Sequence, residues 1–89
     1  MGWQVELSAG AVKALRRLDA QAVRRILRFL DESVAGASDP RATGKPLKGS
    51  ALGDLWRYRV GDYRIVVDIR DRTLTVLVVR VGHRGDIYR

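Results

Sequence analysis

The sequence predicts an α+β domain in which an N-terminal strand and a helical hairpin precede a three-stranded antiparallel meander, with both helices packed on one face of the sheet. Two observations support this prediction. Apolar residues recur at a spacing of about 3.6 between residues 9 and 34, and at a spacing of 2 after residue 54. A chain of 89 residues with 46% hydrophobic residues has room for one core, so we expect a single domain spanning residues 1–89.

The predicted elements begin with a short strand and two helices. Residues 3–7 alternate apolar and polar side chains, as a strand with one buried face does. Ser8 is an N-cap candidate for an amphipathic helix over residues 9–18, and Asp19 is one for a second helix that ends at Gly36. The two segments predict a helical hairpin.

The second half of the chain predicts a long loop followed by the meander. Residues 37–53 hold both prolines and read as one connecting loop. Residues 54–60 and 63–69 alternate strictly, and Gly61-Asp62 between them fits a two-residue type II′ turn with glycine in its first position. A turn at Asp71-Arg72 leads to residues 73–81, which are apolar on both faces and therefore predict a central strand.

Basic side chains collect on the sheet face that the helices leave open. The alternation places Arg57, Arg59 and Arg64 on that face, and the hairpin brings the first two beside the third. Like charges so placed repel one another, so a bound phosphate would stabilise them; the alternative is a solvated face in an arginine-rich protein. The tail after the last strand adds three further polar groups near the same end of the sheet: His83, Arg84 and Tyr88.

Composition narrows the function classes. Lys and Arg number 17 against 10 Asp and Glu, a net charge of +7 that favours a polyanionic partner such as nucleic acid or an acidic protein. The absence of cysteine excludes disulfides and thiol nucleophiles, and a single histidine without a carboxylate cluster predicts no metal site. The segment GKPLKG lacks the spacing of a nucleotide-binding loop, so no cofactor is predicted.

No secretory leader or membrane-spanning run is recognisable, which predicts a cytoplasmic protein without membrane contact.

The residues on the open face fit one reaction in particular. An RNA 2′-hydroxyl can attack its own neighbouring phosphate, and arginines can stabilise the dianionic phosphorane that forms. His83 is the best single candidate for the acid or base, because its side chain titrates near neutrality. Tyr88 is a weaker base candidate or a platform on which an RNA base stacks.

Three segments, taken in order, resemble a known family: GKPLKG, LWRYRVGDYRIVVDI and VLVVRVGHRGDIYR. Together they resemble the RelE/ParE superfamily of type II toxins, more closely its RelE branch, over essentially the whole chain. The resemblance implies a helical hairpin on a curved antiparallel sheet. It also implies a ribosome-dependent, metal-independent endoribonuclease that cleaves mRNA in the A site, and a cognate antitoxin encoded beside the toxin.

The resemblance also implies roles for individual residues. Arg64, Arg84 and Tyr88 match residues that serve in cleavage in RelE-like toxins. Arg57 and Arg59 stand where the best-known members have lysines, and a guanidinium holds phosphate but does not readily transfer protons. We therefore keep His83 as a fourth catalytic candidate beside Arg64, Arg84 and Tyr88. RNA binding is assigned to four other basic residues: Arg57, Arg59, Lys45 and Lys48.

A second branch of the superfamily remains as the alternative. ParE-like toxins share the fold but poison DNA gyrase and are not nucleases, so the fold alone does not separate the two branches. ParE-like sequences usually lack the combination of hairpin arginine, VGHR and terminal aromatic that is present here. The sequence thus favours mRNA cleavage over a gyrase target.

Overall fold

The computed structural model describes residues 2–47 and 55–83. Two helices lie on one face of a five-stranded sheet with the strand order β1-β5-β4-β3-β2. The strands are β1 (Gln4–Leu7), β2 (Lys45–Pro46), β3 (Leu55–Val60), β4 (Tyr63–Arg70) and β5 (Thr75–His83), and the helices are α1 (Ala9–Leu15) and α2 (Ala20–Phe29). The α+β class with a helical hairpin and a meander is confirmed.

Both helices begin at the predicted caps. The Ser8 hydroxyl accepts the Ala11 backbone N–H at 3.0 Å, and an Asp19 carboxylate oxygen accepts the Ala22 N–H at 2.7 Å. Helix α1 ends earlier than predicted, whereas α2 continues as a π-helical segment, Leu30–Ala35, that ends at Gly36 as predicted. Neither helix in the described part of the chain has the length and apolar run that crossing a bilayer requires.

The core lies between the helices and one face of the sheet. From the second helix and its extension, Ile26, Leu30 and Val34 are buried. They form one cluster with the meander side chains on the sheet face away from the three arginines, namely Tyr58, Val60, Ile65, Val67 and Ile69. Burying each such aliphatic side chain stabilises the fold by about 1.5–3 kcal/mol. Because the sheet is anchored to the helices through this face, its other face has a fixed geometry.

The prediction of an antiparallel sheet is wrong for one pair of strands. The first strand runs parallel to the last, with Gln4 opposite Thr75 and Leu7 opposite Val78. A parallel pair needs a long crossover between its strands, and the helical hairpin together with the meander supplies it. Periodicity reports which face of a strand is buried but not the direction of its neighbour, so the sequence did not reveal this pairing.

The connecting loop and the last strand also differ from expectation. The predicted loop contains a 3₁₀ turn, Pro40–Ala42, and strand β2, which pairs with β3 through Lys45 opposite Arg57. Strand β5 begins later than predicted because Leu74 adopts a left-handed conformation with φ 50° that closes the preceding turn. It is paired on both sides, as predicted for a central strand. Gly61 has a φ of +60° in the β3–β4 turn, in keeping with the predicted type II′ geometry.

Candidate functional site

The open face of the sheet carries the predicted cluster of arginines. Arg59 lies directly opposite Arg64 in the β3–β4 pair, and Arg57 lies beside them opposite Val66. Lys45 of the short edge strand joins the cluster through its pairing with Arg57. These side chains line a groove of about 200 Å³, here named the cationic groove, whose walls are Gly44, Lys45, Arg57, Tyr58, Arg59 and Arg64.

The arginines of the cationic groove differ in exposure. Arg59 is exposed, whereas Arg57 and Arg64 are half-buried and the Nε atom of Arg64 is buried. Cations facing one another across two strands repel, and the repulsion grows as water is excluded. A phosphate in this groove would offset the repulsion. The groove therefore fits a phosphate diester.

The segment before strand β2 is held against β3 by close backbone contacts. Gly44 has a φ of +87°, and a Cβ built on it would lie 2.3 Å from the carbonyl oxygen of Arg57. The Trp56 indole N–H donates to the Thr43 carbonyl at 2.8 Å. Only glycine permits this approach at a positive φ, and the approach delivers Lys45 to the groove.

A hydrogen bond and an ion pair attach the preceding turn to the body of the protein. The Tyr58 hydroxyl donates to the Pro40 carbonyl at 2.7 Å in the buried core. Arg41 forms a bidentate ion pair with Asp71, with both N–O distances 3.0 Å. The Arg41 guanidinium lowers the pKa of the Asp71 carboxyl through this hydrogen bonding. The turn thus bridges β3 and the β4–β5 connection.

A Tyr58→Phe variant is expected to be less stable by about 1–3 kcal/mol at neutral pH, because the buried Pro40 carbonyl loses its donor. Burial raises the pKa of Tyr58 from 10.0 to about 12, although the nearby Arg41 charge acts in the opposite direction. The unfolded chain releases the proton near pH 10 and the folded chain retains it up to about pH 12. The free energy of unfolding therefore falls as the pH rises through that window.

Urea unfolding of both proteins across this pH range measures the effect. The parental chain should lose stability more steeply than Tyr58→Phe, which has no phenol to titrate. Equal slopes for the two proteins would contradict the role given to the buried hydroxyl.

His83 lies on the other face of the sheet from the cationic groove. Its ring packs edge-to-face on Tyr63, its cross-strand neighbour, with ring centroids 4.6 Å apart. Tyr63 packs against the core on the helix side of the sheet. The residue of β5 that lies opposite Arg64 is Gly82, which precedes His83 in the chain. The structure therefore does not bring His83 together with the arginines, and its catalytic role stays a prediction without geometric support.

Three of the predicted site residues lie outside the described residues. These are Lys48 from the connecting loop and Arg84 and Tyr88 from the tail. Their assignment to RNA binding and cleavage remains a prediction from the sequence.

The sequence prediction missed Arg80, a further cation on the open face. It lies opposite Val66 in the β4–β5 pair, on the other side of that residue from Arg57, and its side chain is exposed. A β-bulge at Val79 puts it there: Val67 pairs with Val78, whereas Val66 pairs with Arg80. The sequence contains a sign of this bulge, because strict alternation of faces from Val76 onward would place Arg80 in the core.

Comparison with known proteins relates the chain to bacterial and archaeal toxins. A family model described as the ParE toxin of the type II toxin–antitoxin system parDE matches residues 5–88. Toxin RelG of Mycobacterium tuberculosis is 32% identical over 89 residues, which covers 100% of this chain and 99% of RelG. Toxin RelE of the same organism is 30% identical over 87 residues, covering 98% of this chain and 87% of that toxin.

Solved structures show the same relation in three dimensions. A chain of the RelBE2 toxin–antitoxin complex from Mycobacterium tuberculosis superposes with a TM-score of 0.83 at 28% identity, covering 97% of this chain and 95% of that chain. A chain of the RelE–RelB complex from Pyrococcus horikoshii superposes with a TM-score of 0.72 at 28% identity, covering 97% and 99%. Both superpositions extend over nearly the whole chain.

Proposed function

This chain belongs to the RelE/ParE superfamily of type II toxins, and we propose that it halts translation by cleaving mRNA in the ribosomal A site. The observation that carries the proposal is the cationic groove, in which Arg57, Arg59, Arg64 and Lys45 converge on a volume of about 200 Å³. The similarity to proteins named Toxin RelG and Toxin RelE supports the RelE branch of the superfamily, and the RNA target follows from the sequence resemblance to that branch.

The proposed reaction is an internal transesterification. The 2′-oxygen of a nucleotide bonds to the adjacent phosphorus, the bond from phosphorus to the 5′-oxygen breaks, and a 2′,3′-cyclic phosphate and a 5′-hydroxyl result. One proton leaves the 2′-hydroxyl and one is delivered to the departing 5′-oxygen. Arg59 and Arg64, facing each other across two strands, are suited to hold the non-bridging oxygens as negative charge develops on them. In this proposal, the charge of the phosphorane is stabilised by the protein's own cations.

Lys45 is the candidate proton carrier among the described residues that line the groove. Guanidinium groups stay protonated in proteins, whereas an amine can release a proton and regain it. The other titratable side chain in the lining is Tyr58, and its hydroxyl is engaged with the Pro40 carbonyl in the core. We therefore assign proton transfer to Lys45 in addition to phosphate contact.

The Lys45 assignment predicts different defects for two substitutions. Lys45→Arg keeps the charge but loses the amine, so we expect cleavage at saturating ribosomes to slow by roughly 100-fold with little change in KM. Lys45→Ala loses both charge and amine, and KM should rise as well. Single-turnover cleavage measures both quantities. A Lys45→Arg protein that cleaves at the parental rate would exclude proton transfer by this residue.

We also propose that a cognate antitoxin neutralises this toxin. The RelBE2 and RelE–RelB structures are toxin–antitoxin complexes of similar chains, and a net charge of +7 favours an acid-rich segment that folds on binding. The affinity of the complex should then fall as the ionic strength rises. Calorimetry over a range of salt concentrations tests this, and an affinity that does not change with salt would contradict the electrostatic part.

Gyrase poisoning is the second candidate function, and the match to a family model described as the ParE toxin favours it. One paired experiment separates the two candidates. A purified translation reaction with a defined mRNA is run with and without ribosomes, and 5′ ends are mapped by primer extension; gyrase supercoiling is assayed in parallel. New 5′ ends within the A-site codon only in the presence of ribosomes would support mRNA cleavage. Intact mRNA with trapped gyrase–DNA breaks would support the ParE-like alternative.

A further inference from the structure

The β-bulge in strand β5 exchanges the faces of two polar residues. Val76 and Val78 point into the core, so strict alternation would send Arg80 into the core and leave His83 on the open face. With the bulge at Val79, Val81 takes the buried position and Arg80 becomes exposed on the open face. His83 moves to the helix-facing side, where it meets Tyr63.

We propose that Arg80 is a further substrate-binding residue that holds an RNA phosphate next to the one bound in the cationic groove. The inference rests on the proposed function, because it takes single-stranded RNA as the ligand of the open face. It adds a contact on β5, the strand on the far side of β4 from the groove-lining residues of β3.

The bulge is held by the start of helix α1. The Ser8 hydroxyl donates to the Val79 carbonyl at 3.3 Å while it accepts the Ala11 N–H at 3.0 Å. The Ser8 backbone N–H donates to the Val78 carbonyl at 2.9 Å. A helix cap therefore fixes the irregular stretch of β5 at two consecutive carbonyls, which keeps Arg80 on the open face. Bulges of this kind re-aim a side chain, and they are frequent beside functional sites.

Arg80 extends a row of cations that runs across the strands. Lys45 lies opposite Arg57, Arg57 opposite Val66, and Val66 opposite Arg80. Two inter-strand spacings, about 10 Å, separate the backbones of Arg57 and Arg80. At that distance their long side chains can contact the same phosphate or two neighbouring phosphates of one RNA strand. Val66 between them is buried, so the row has an apolar floor and basic walls. Such a surface fits the ribose-phosphate backbone of RNA.

Arg80 is also accessible to a ligand. The pairing of β1 with β5 ends at Leu7 opposite Val78, so β1 does not flank Arg80. Among the described residues, Arg80 takes part in no ion pair. An exposed guanidinium placed beside other cations gains most from a phosphate that neutralises it.

The test is equilibrium binding of the full chain to a short 2′-O-methyl RNA, which lacks the attacking hydroxyl and is not cleaved. Fluorescence anisotropy over a series of KCl concentrations gives the slope of log Kd against log salt. For Arg80→Ala we expect the slope to decrease by about 0.7, the value for one phosphate contact on a single strand, and binding at low salt to weaken roughly tenfold. Arg80→Lys should keep the slope.

Arg72→Ala is the matched control. It removes the same charge from an exposed position in the β4–β5 turn, at the opposite end of β4 from the β3–β4 turn. The slope of log Kd against log salt should therefore stay parental. An unchanged slope for Arg80→Ala, or equal decreases for Arg80→Ala and Arg72→Ala, would overturn the proposal, as would parental protein that does not bind the RNA. Circular dichroism establishes that each variant is folded.

The ribosome-dependent cleavage assay keeps the two proposals distinguishable. If the parental chain binds RNA through Arg80 but does not cleave ribosome-bound mRNA, the proposed function fails and the phosphate contact stands. If the parental chain cleaves mRNA and Arg80→Ala binds RNA with the parental slope, the function stands and the Arg80 contact is wrong.

Discussion

An Arg64→Ala variant is expected to cleave ribosome-bound mRNA roughly 100 to 1,000 times more slowly than the parental chain, the loss typical of removing one donor to a developing oxyanion. Arg64 lies directly opposite Arg59 and lines the cationic groove, with its Nε atom buried. A guanidinium held in a half-buried position needs little reorganisation when charge develops on the phosphate. The measurement is single-turnover cleavage followed by primer extension.

Two further variants make the Arg64 experiment specific. Arg64→Lys keeps one positive charge but loses the planar fork, so we expect an intermediate rate. Arg72→Ala removes an equal charge from the exposed turn at the other end of β4 and should cleave near the parental rate. Thermal unfolding of each protein separates loss of activity from loss of fold. An Arg64→Ala protein that is folded and cleaves as fast as the parent would contradict the role assigned to this arginine.

A Gly44→Ala variant is expected to be destabilised by about 2–3 kcal/mol, which lowers the Tm by roughly 10–20 °C in a domain of this size. Gly44 has a φ of +87°, and a Cβ there would lie 2.3 Å from the Arg57 carbonyl oxygen and 2.7 Å from a ring carbon of Tyr58. The backbone must move to accommodate it, and Lys45 moves with the backbone. Cleavage should therefore fall together with stability.

Gly10→Ala is the matched control for this substitution. Gly10 lies in α1, and a Cβ there would meet its nearest neighbours at 3.9 Å, an ordinary contact distance. Alanine is favoured over glycine in a helix by about 0.5–1 kcal/mol, so the Tm should stay the same or rise. Calorimetry of the three proteins measures the effect. A Gly44→Ala protein with the parental Tm would show that the turn before β2 tolerates a side chain.

Local sequence patterns were sufficient to predict much of the fold and part of the site. The caps at Ser8 and Asp19 were recognisable because a side-chain acceptor precedes an amphipathic run. The two-residue turn at Gly61 set the register of the β3–β4 hairpin, and the register placed Arg59 opposite Arg64. Each of these features depends on residues close together in the chain.

Two parts of the site could not be predicted in this way. Lys45 joins the groove through a two-residue strand inside a segment that reads as a loop, and its pairing with Arg57 depends on the close approach at Gly44. Arg80 and His83 lie on opposite faces from those that simple alternation assigns to them. The arginine at position 80 is a sign that the alternation slips, but no pattern in the run of valines marks the residue at which it does.

The sequence by itself determined the class of fold, the buried face of β3 and β4, and the cluster of Arg57, Arg59 and Arg64 on the open face. The tertiary structure alone decided that β1 pairs parallel with β5 and that the bulge at Val79 exposes Arg80. The physical reason is the range of the contacts. Periodicity and turn chemistry act between neighbours in the chain, whereas the hydroxyl of Ser8 fixes the bulge from 71 residues away.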